Sequence, residues 1–380
     1  MTTQSATVTS VYERIGVKPV INARGFLTVL GGSTPSARVK QAMEEAERYF
    51  VEMKDLLERG GEIVAELIGC EAAYITPGAA AALALGTAAC VTGKDFEKMA
   101  RLPDTTGMKN EVVIQKCQRY SYDRATTIVG TRLVEIGDEN GATAEQLEAA
   151  IGPRTATVLY VAHLENRPGA LSFDETLRVA HARGVPVLTD AAGQVYPLER
   201  MRSYTKRGAD LVAFGAKYIG SVHSSGILCG RKELVDAAVP QGFIGFETVA
   251  ERRSFGRPLK LDRQEIVGVI TAVQEWFSID HEQRVAELER RLGSLQRALA
   301  GAPGLSFEVL RREGNAPRLL RIELDPARAR RDVPSVVAGL RAGSPMILVN
   351  ADATAILVNP STVRPDDDEV VAGRLRELLG

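Results

Sequence analysis

Lys217 stands three positions beyond the apolar run 211–214 and is flanked by Gly215, Ala216 and Gly220, so its amine is held close to crowded backbone. Burial disfavours the ammonium form, and the neutral amine is the form that attacks a carbonyl to make an imine. A strand-end lysine pointing to water is the other reading of the same residue. Asp190 closes a second apolar run, 187–189, and is followed by the small residues Ala191, Ala192 and Gly193. If that run is a parallel strand, the carboxylate lies at its carboxyl end, where open α/β sheets bind ligands. An aspartate that caps the next helix is the alternative. Asp190 and Lys217 are 27 positions apart, room for one helix and one strand, so they can end neighbouring strands on one edge of a sheet. Such a pair suits pyridoxal phosphate: the lysine engages the aldehyde, and the aspartate keeps the ring nitrogen protonated so that the ring draws electrons.

A third segment fits the same ligand. In Thr76-Pro77-Gly78-Ala79-Ala80-Ala81 a short strand gives way to an alanine-rich helix, and small side chains let a phosphate approach the free N–H groups at the helix start. Gly-Ala turns before helices are common, so this segment gains its meaning from the other two.

The elements that must position these residues follow from periodicity. Between about 60 and 240, short β-branched runs alternate with amphipathic stretches, the pattern of repeated β-α units. Strands are expected over 72–75, 111–114, 131–135, 156–161, 185–189, 211–214 and 225–229, with helices over 80–91, 144–150, 173–183 and 197–207. Gly184 follows the third helix as its C-cap. Residues 264–300 read as long connecting helix with an i,i+4 pair, Glu287/Arg291. Strands over 306–310, 319–324, 346–349 and 355–358 and a helix from Pro365 complete a smaller α+β domain. The acidic run 366–369 suits that helix's N-terminus. The expected division is an N-terminal segment 1–40 packing with the small domain, a large α/β domain 41–258, and 259–380 as connecting helix plus small domain.

Composition narrows the field. The 380 residues are 45% hydrophobic and 25% charged, with net charge −1, so the chain is globular and offers no basic field for avid nucleic-acid binding. The uncharged stretch 72–93 is broken by Pro77, Gly78 and Gly86 and reads as a buried turn and helix, not a membrane span. Residues 1–10 show no basic cluster or apolar core of a secretory signal, so a cytoplasmic protein is expected. Four scattered cysteines and four histidines lack metal-ligand spacing, and neither zinc nor a disulfide framework is expected.

In order and spacing these segments resemble the fold-type I pyridoxal-phosphate enzymes, and within them the branch of bacterial selenocysteine synthase and D-glucosaminate-6-phosphate ammonia-lyase. The resemblance extends through VINARGFLTVLGGS (20–33), ELIGCEAAYITPGAAAAL (66–83), LPDTTGMKNEVVIQ (102–115), the Asp190 and Lys217 segments, and GRPLKLDRQEIVG (256–268). It implies a large domain with a seven-stranded, mostly parallel sheet and a smaller α+β C-terminal domain. It also implies Lys217 as the imine-forming lysine and general base, Asp190 as partner of the ring nitrogen, and Gly78, Ala79 and Ala80 as the phosphate cradle. Ala192 and Gln118 would lie by the cofactor. Ser224, in a loop that departs from the glycine-proline turn of relatives, would border a phosphate of the neighbouring subunit. His163 falls where lyase-like members carry a histidine, or is simply satisfied at the sheet end. Arg24, Arg257 and Lys260 would bind an anionic substrate group, or serve as exposed structural cations.

The resemblance implies a lyase: Lys217 takes the α-proton of a small hydroxy amino acid or amino sugar acid, the β-hydroxyl leaves as water, and hydrolysis gives a 2-oxo acid and ammonia. A racemase, an aldolase, a β-substituting transferase such as selenocysteine synthase, and a non-catalytic cofactor- or partner-binding protein remain alternatives. Active sites of this fold lie at subunit interfaces, which implies a homodimer or higher even oligomer acting on a small molecule, away from membranes and nucleic acid.

Overall fold

The computed structural model describes residues 10–248 and 254–380; the N-terminal stretch read for a secretory signal lies almost wholly outside them. Its strands are β1 (Val20–Ala23), β2 (Ala72–Thr76), β3 (Glu111–Gln115), β4 (Arg132–Ile136), β5 (Thr155–Val161), β6 (Val187–Asp190), β7 (Leu211–Gly215), β8 (Gly226–Gly230), β9 (Leu305–Arg311), β10 (Arg318–Leu324), β11 (Met346–Ala351) and β12 (Ala355–Val358). The chain divides into two units. The larger holds Gly32–Ile279 and Glu313–Asn315; the smaller holds the segment up to Gly31, Asp280–Arg312 and Ala316–Gly380.

In the larger unit seven strands run in the order β2-β8-β7-β6-β5-β3-β4. The pairs β7–β6, β6–β5, β5–β3 and β3–β4 are parallel, while β8 runs against both β2 and β7. Every residue of β3, β5, β6, β7 and β8 is buried, as a mostly parallel sheet covered by helices on both faces requires. The uncharged stretch becomes β2 and the helix Gly78–Thr92, which is buried nearly all round. Small residues suit it because it lies tight on the sheet: a Cβ on Gly86 would come within 3.3 Å of Leu188, Leu211 and Leu228. The helix Phe173–Ala182 ends as expected, with Gly184 at φ +66° and its N–H donating to the His181 carbonyl.

Residues 264–300 form two helices, Arg263–Trp276 and His281–Leu299, because Asp280 caps the second by accepting from the Gln283 N–H at 2.9 Å. Residues 259–279, expected with the smaller domain, and 32–40, expected with the N-terminal segment, belong to the larger unit. There the helix Arg263–Trp276 buries Ile266, Val269, Ala272 and Val273 against the helices Ala37–Glu47 and Met53–Ile68.

The smaller unit carries the sheet β1-β11-β12-β10-β9, in which β1, not foreseen as a strand, pairs parallel with β11. The expected Glu287/Arg291 pair is replaced by a buried one. Arg291 donates to both oxygens of Asp368 at 2.7 Å and to the carbonyls of Pro360 and Val363, while Glu287 pairs with Arg290. A bidentate, partly buried guanidinium–carboxylate contact fixes the terminal helix Asp368–Leu379 against its neighbour.

Leu188 is fully buried on β6, in the middle of the larger sheet. Leu188→Ala is expected to lower unfolding stability by about 3 kcal/mol, measured by chemical denaturation.

Candidate active site

One edge of the larger sheet collects the chemistry. Six strands running the same way end there, and β8, being reversed, begins there, so its preceding loop joins the same edge. In register, Val161 of β5 pairs with Asp190 of β6, and Asp190 pairs with Ala213 of β7. Lys217 therefore lies four positions past the partner of Asp190, and His163 two positions past the other.

Lys217 sits in the single turn Ala216–Ile219, released at Gly220, whose φ of +87° suits a residue without Cβ. The turn is tied down on both sides: the Gly215 N–H donates to the Ala192 carbonyl and the Ala216 N–H to the Ser225 carbonyl, each at 3.0 Å. The amine is half-buried, 4.9 Å from the centre of the Tyr218 ring, and burial pulls its pKa below the ordinary lysine value. The lysine is thus lodged against backbone and ring rather than extended into water.

Asp190 is only 4% exposed. Its Oδ1 accepts from the Ala192 N–H at 2.9 Å and its Oδ2 from the Tyr120 hydroxyl. Burial pushes its pKa up; the two donors and nearby His163 oppose that rise. It does not cap the following helix, Leu198–Lys206, whose N-cap is Pro197. His163 follows β5 at the surface, its ring edge-on to Tyr120 at 5.3 Å, and partial burial lowers its pKa.

Gly78 opens the helix Gly78–Thr92, and no side chain caps the helix start. The cradle is built by close approach: a Cβ on Gly226 would lie 2.4 Å from the Gly78 carbonyl carbon and 2.7 Å from the Ala79 nitrogen. The Thr76 hydroxyl donates to the Gly78 carbonyl at 3.1 Å. The Ser224 carbonyl borders Gly78, but its hydroxyl donates to Glu265.

Gln118 is fully buried, and its Oε1 accepts from the Val161 N–H at 3.1 Å, joining the ends of β3 and β5. The side chain from this segment that meets Asp190 is Tyr120, which the sequence did not single out; it lies two residues on, in QRYSYD, with no motif to mark it. Arg257 pairs with Glu247 at 3.1 Å and shares with Lys260 a pocket of about 280 Å³ whose lining includes none of the Lys217–Asp190 group. Arg24 belongs to the smaller unit, where its Nε donates to Asn350 Oδ1 at 3.0 Å.

A half-buried amine, a buried carboxylate and a helix start without a side-chain cap fit pyridoxal phosphate. Lys217 would hold its aldehyde carbon, Asp190 its ring nitrogen, and the N–H groups of Gly78, Ala79 and Ala80 its phosphate.

Comparison with known proteins agrees. The pattern of the family described as Aminotransferase class-V matches residues 40–315. The chain is 35% identical to a 5'-C-glycyluridine monooxygenase-decarboxylase of a Streptomyces species, covering 97% of this chain and 92% of that protein. It is 31% identical to D-glucosaminate-6-phosphate ammonia lyase of Salmonella typhimurium, covering 97% and 98%. A solved structure of D-glucosaminate-6-phosphate ammonia-lyase superposes with a TM-score of 0.85 at 31% identity, covering 98% of both chains.

Gly226→Ala is expected to push the Gly78–Ala79 peptide out of place and to weaken pyridoxal-phosphate binding at least about tenfold, read by titrating the apoprotein and following visible absorbance.

Proposed function

Because the chain belongs to the class-V aminotransferase family, we propose that it is a pyridoxal-phosphate-dependent lyase that dehydrates and deaminates a small hydroxy amino acid or amino sugar acid to a 2-oxo acid and ammonia. The observation that carries this is the pairing of Lys217 and Asp190 on neighbouring strand ends, one amine and one carboxylate with opposed environments. The choice of a lyase within the family draws on the full-length likeness to the ammonia-lyase.

Bound pyridoxal phosphate supplies an aldehyde carbon for the substrate amine and a protonated ring that withdraws electrons from Cα. The chain supplies the rest. Lys217 Nζ, its pKa lowered by desolvation, takes the Cα proton in its deprotonated form. Asp190, buried at its strand end, would hold the ring nitrogen through its carboxylate. The N–H groups at Gly78–Ala80 fix the phosphate and so the ring's orientation. His163, whose pKa is lowered by partial burial, handles a second proton at an imidazole nitrogen.

A second reading rests on the 35% likeness to a monooxygenase-decarboxylase: here the bond broken would be Cα–carboxylate, with dioxygen as co-substrate. The two separate by product. Cofactor-loaded protein is assayed over D- and L-3-hydroxy amino acids and D-glucosaminate 6-phosphate for ammonia, carbon dioxide and oxygen uptake. Ammonia without oxygen uptake, reduced at least about a thousandfold in Lys217→Ala, is the expected result; carbon dioxide with oxygen uptake gives the second reading. The pH dependence has a definite sign. Lys217 acts only when deprotonated, so kcat/KM rises with pH along a limb centred below 10.5, the ordinary lysine value.

The reading includes a homodimer or higher even oligomer in the cytoplasm. It is supported by Tyr49, Phe50 and Val51 of the larger unit, which leave a continuous apolar patch largely exposed, Phe50 at 92%. Among the described residues no helix is long and apolar enough to cross a membrane. Phe50→Asp is expected to shift the mass seen by light scattering toward the monomer; an unchanged mass removes this patch from the interface.

A further inference from the structure

Asp190 can hold a protonated ring nitrogen only as a carboxylate, and its place in the sheet works against that form. It is buried beneath the strand ends, and burial raises its pKa. Two donors oppose the effect: the Ala192 N–H, fixed by the backbone, and the Tyr120 hydroxyl, a side chain with no other acceptor assigned to its oxygen. Tyr120 is well placed to be the adjustable one. Its own pKa is raised by burial and by the Asp190 charge, so it stays a donor at working pH. Its backbone N–H is anchored to Asp123 Oδ2 at 3.2 Å, and its ring is braced edge-on by His163. The titratable groups facing Asp190 are therefore Tyr120 beyond β3, His163 beyond β5, and Tyr218 beside Lys217 beyond β7.

We propose that Tyr120 is a positioning residue that keeps Asp190 in the carboxylate form the cofactor needs, acting through Asp190 alone. A hydrogen bond to a charged group removed from a buried partner changes an equilibrium by about tenfold or more. The inference rests on the assignment of Asp190 made above, and its test separates the two.

Tyr120→Phe keeps the ring against His163 and removes only the hydroxyl. In the apoprotein, the infrared carbonyl stretch of protonated Asp190, identified by its loss in Asp190→Asn, is followed against pH. The expected result is a titration midpoint at least about one unit higher in Tyr120→Phe, a tenfold shift in the proton equilibrium. Pyridoxal-phosphate affinity of the apoprotein is expected to fall about tenfold in Tyr120→Phe, to fall in Asp190→Asn, and to fall no further in the double variant. An unchanged carboxyl titration, or additive losses in the double variant, would overturn the role of Tyr120 while leaving Asp190 in place. If Asp190→Asn itself leaves cofactor affinity and absorbance untouched, the assignment of Asp190 fails and this inference fails with it.

Discussion

A carboxylate taken out of water must be given partners or it takes up a proton, and the larger unit is organised around one such group. Asp190 ends the fully buried strand β6 near the middle of the sheet, with β5 and β7, buried as well, in parallel register on either side. The backbone turn at Ala192 and the phenol of Tyr120 each give it a hydrogen bond, and the same turn accepts from Gly215, which leads into the Lys217 turn. The Ala192 turn thus both hydrogen-bonds the carboxylate and holds the strand end that leads to the amine. Disturbing one is felt by the other.

Opposed pKa shifts give the edge its chemical character. Desolvation moves Lys217 down and Asp190 up, each toward its neutral form, and the hydrogen bonds to Asp190 oppose its shift. The two shifts are opposed in sign, as groups that divide acid and base work between them require.

The reversed strand β8 is the second structural decision. Because it starts where its neighbours finish, Gly226 meets the Gly78–Ala79 peptide, and the helix start at Gly78 is packed against the same edge as Lys217. A parallel β8 would have put that glycine at the far end of the sheet, and the helix start would have lacked its wall. The glycine is required by the 2.4 Å clearance, not by backbone freedom.

Seven strands, the helix Ala144–Ala150 and the ends of the helix Phe173–Ala182 were legible because alternating apolar runs and a Gly184 C-cap are local signals. Lys217, Asp190 and the Gly78 turn were legible for the same reason: strand-end positions beside small residues leave a mark in one dimension. Tyr120 was not, since its partner lies 70 positions away and only the pairing of β3, β5 and β6 brings them together. Nor was the partner of Arg291, because i,i+4 spacing suggests Glu287 while burial selects Asp368. The split of residues 264–300 turned on the Asp280 cap, a local signal that the charged helical pattern on both sides obscured. The sequence by itself determined which strands form and which side chains can do chemistry, because periodicity and residue type are local. Only the tertiary structure decided who partners whom, because desolvation and hydrogen-bond supply depend on distant segments meeting at one sheet edge.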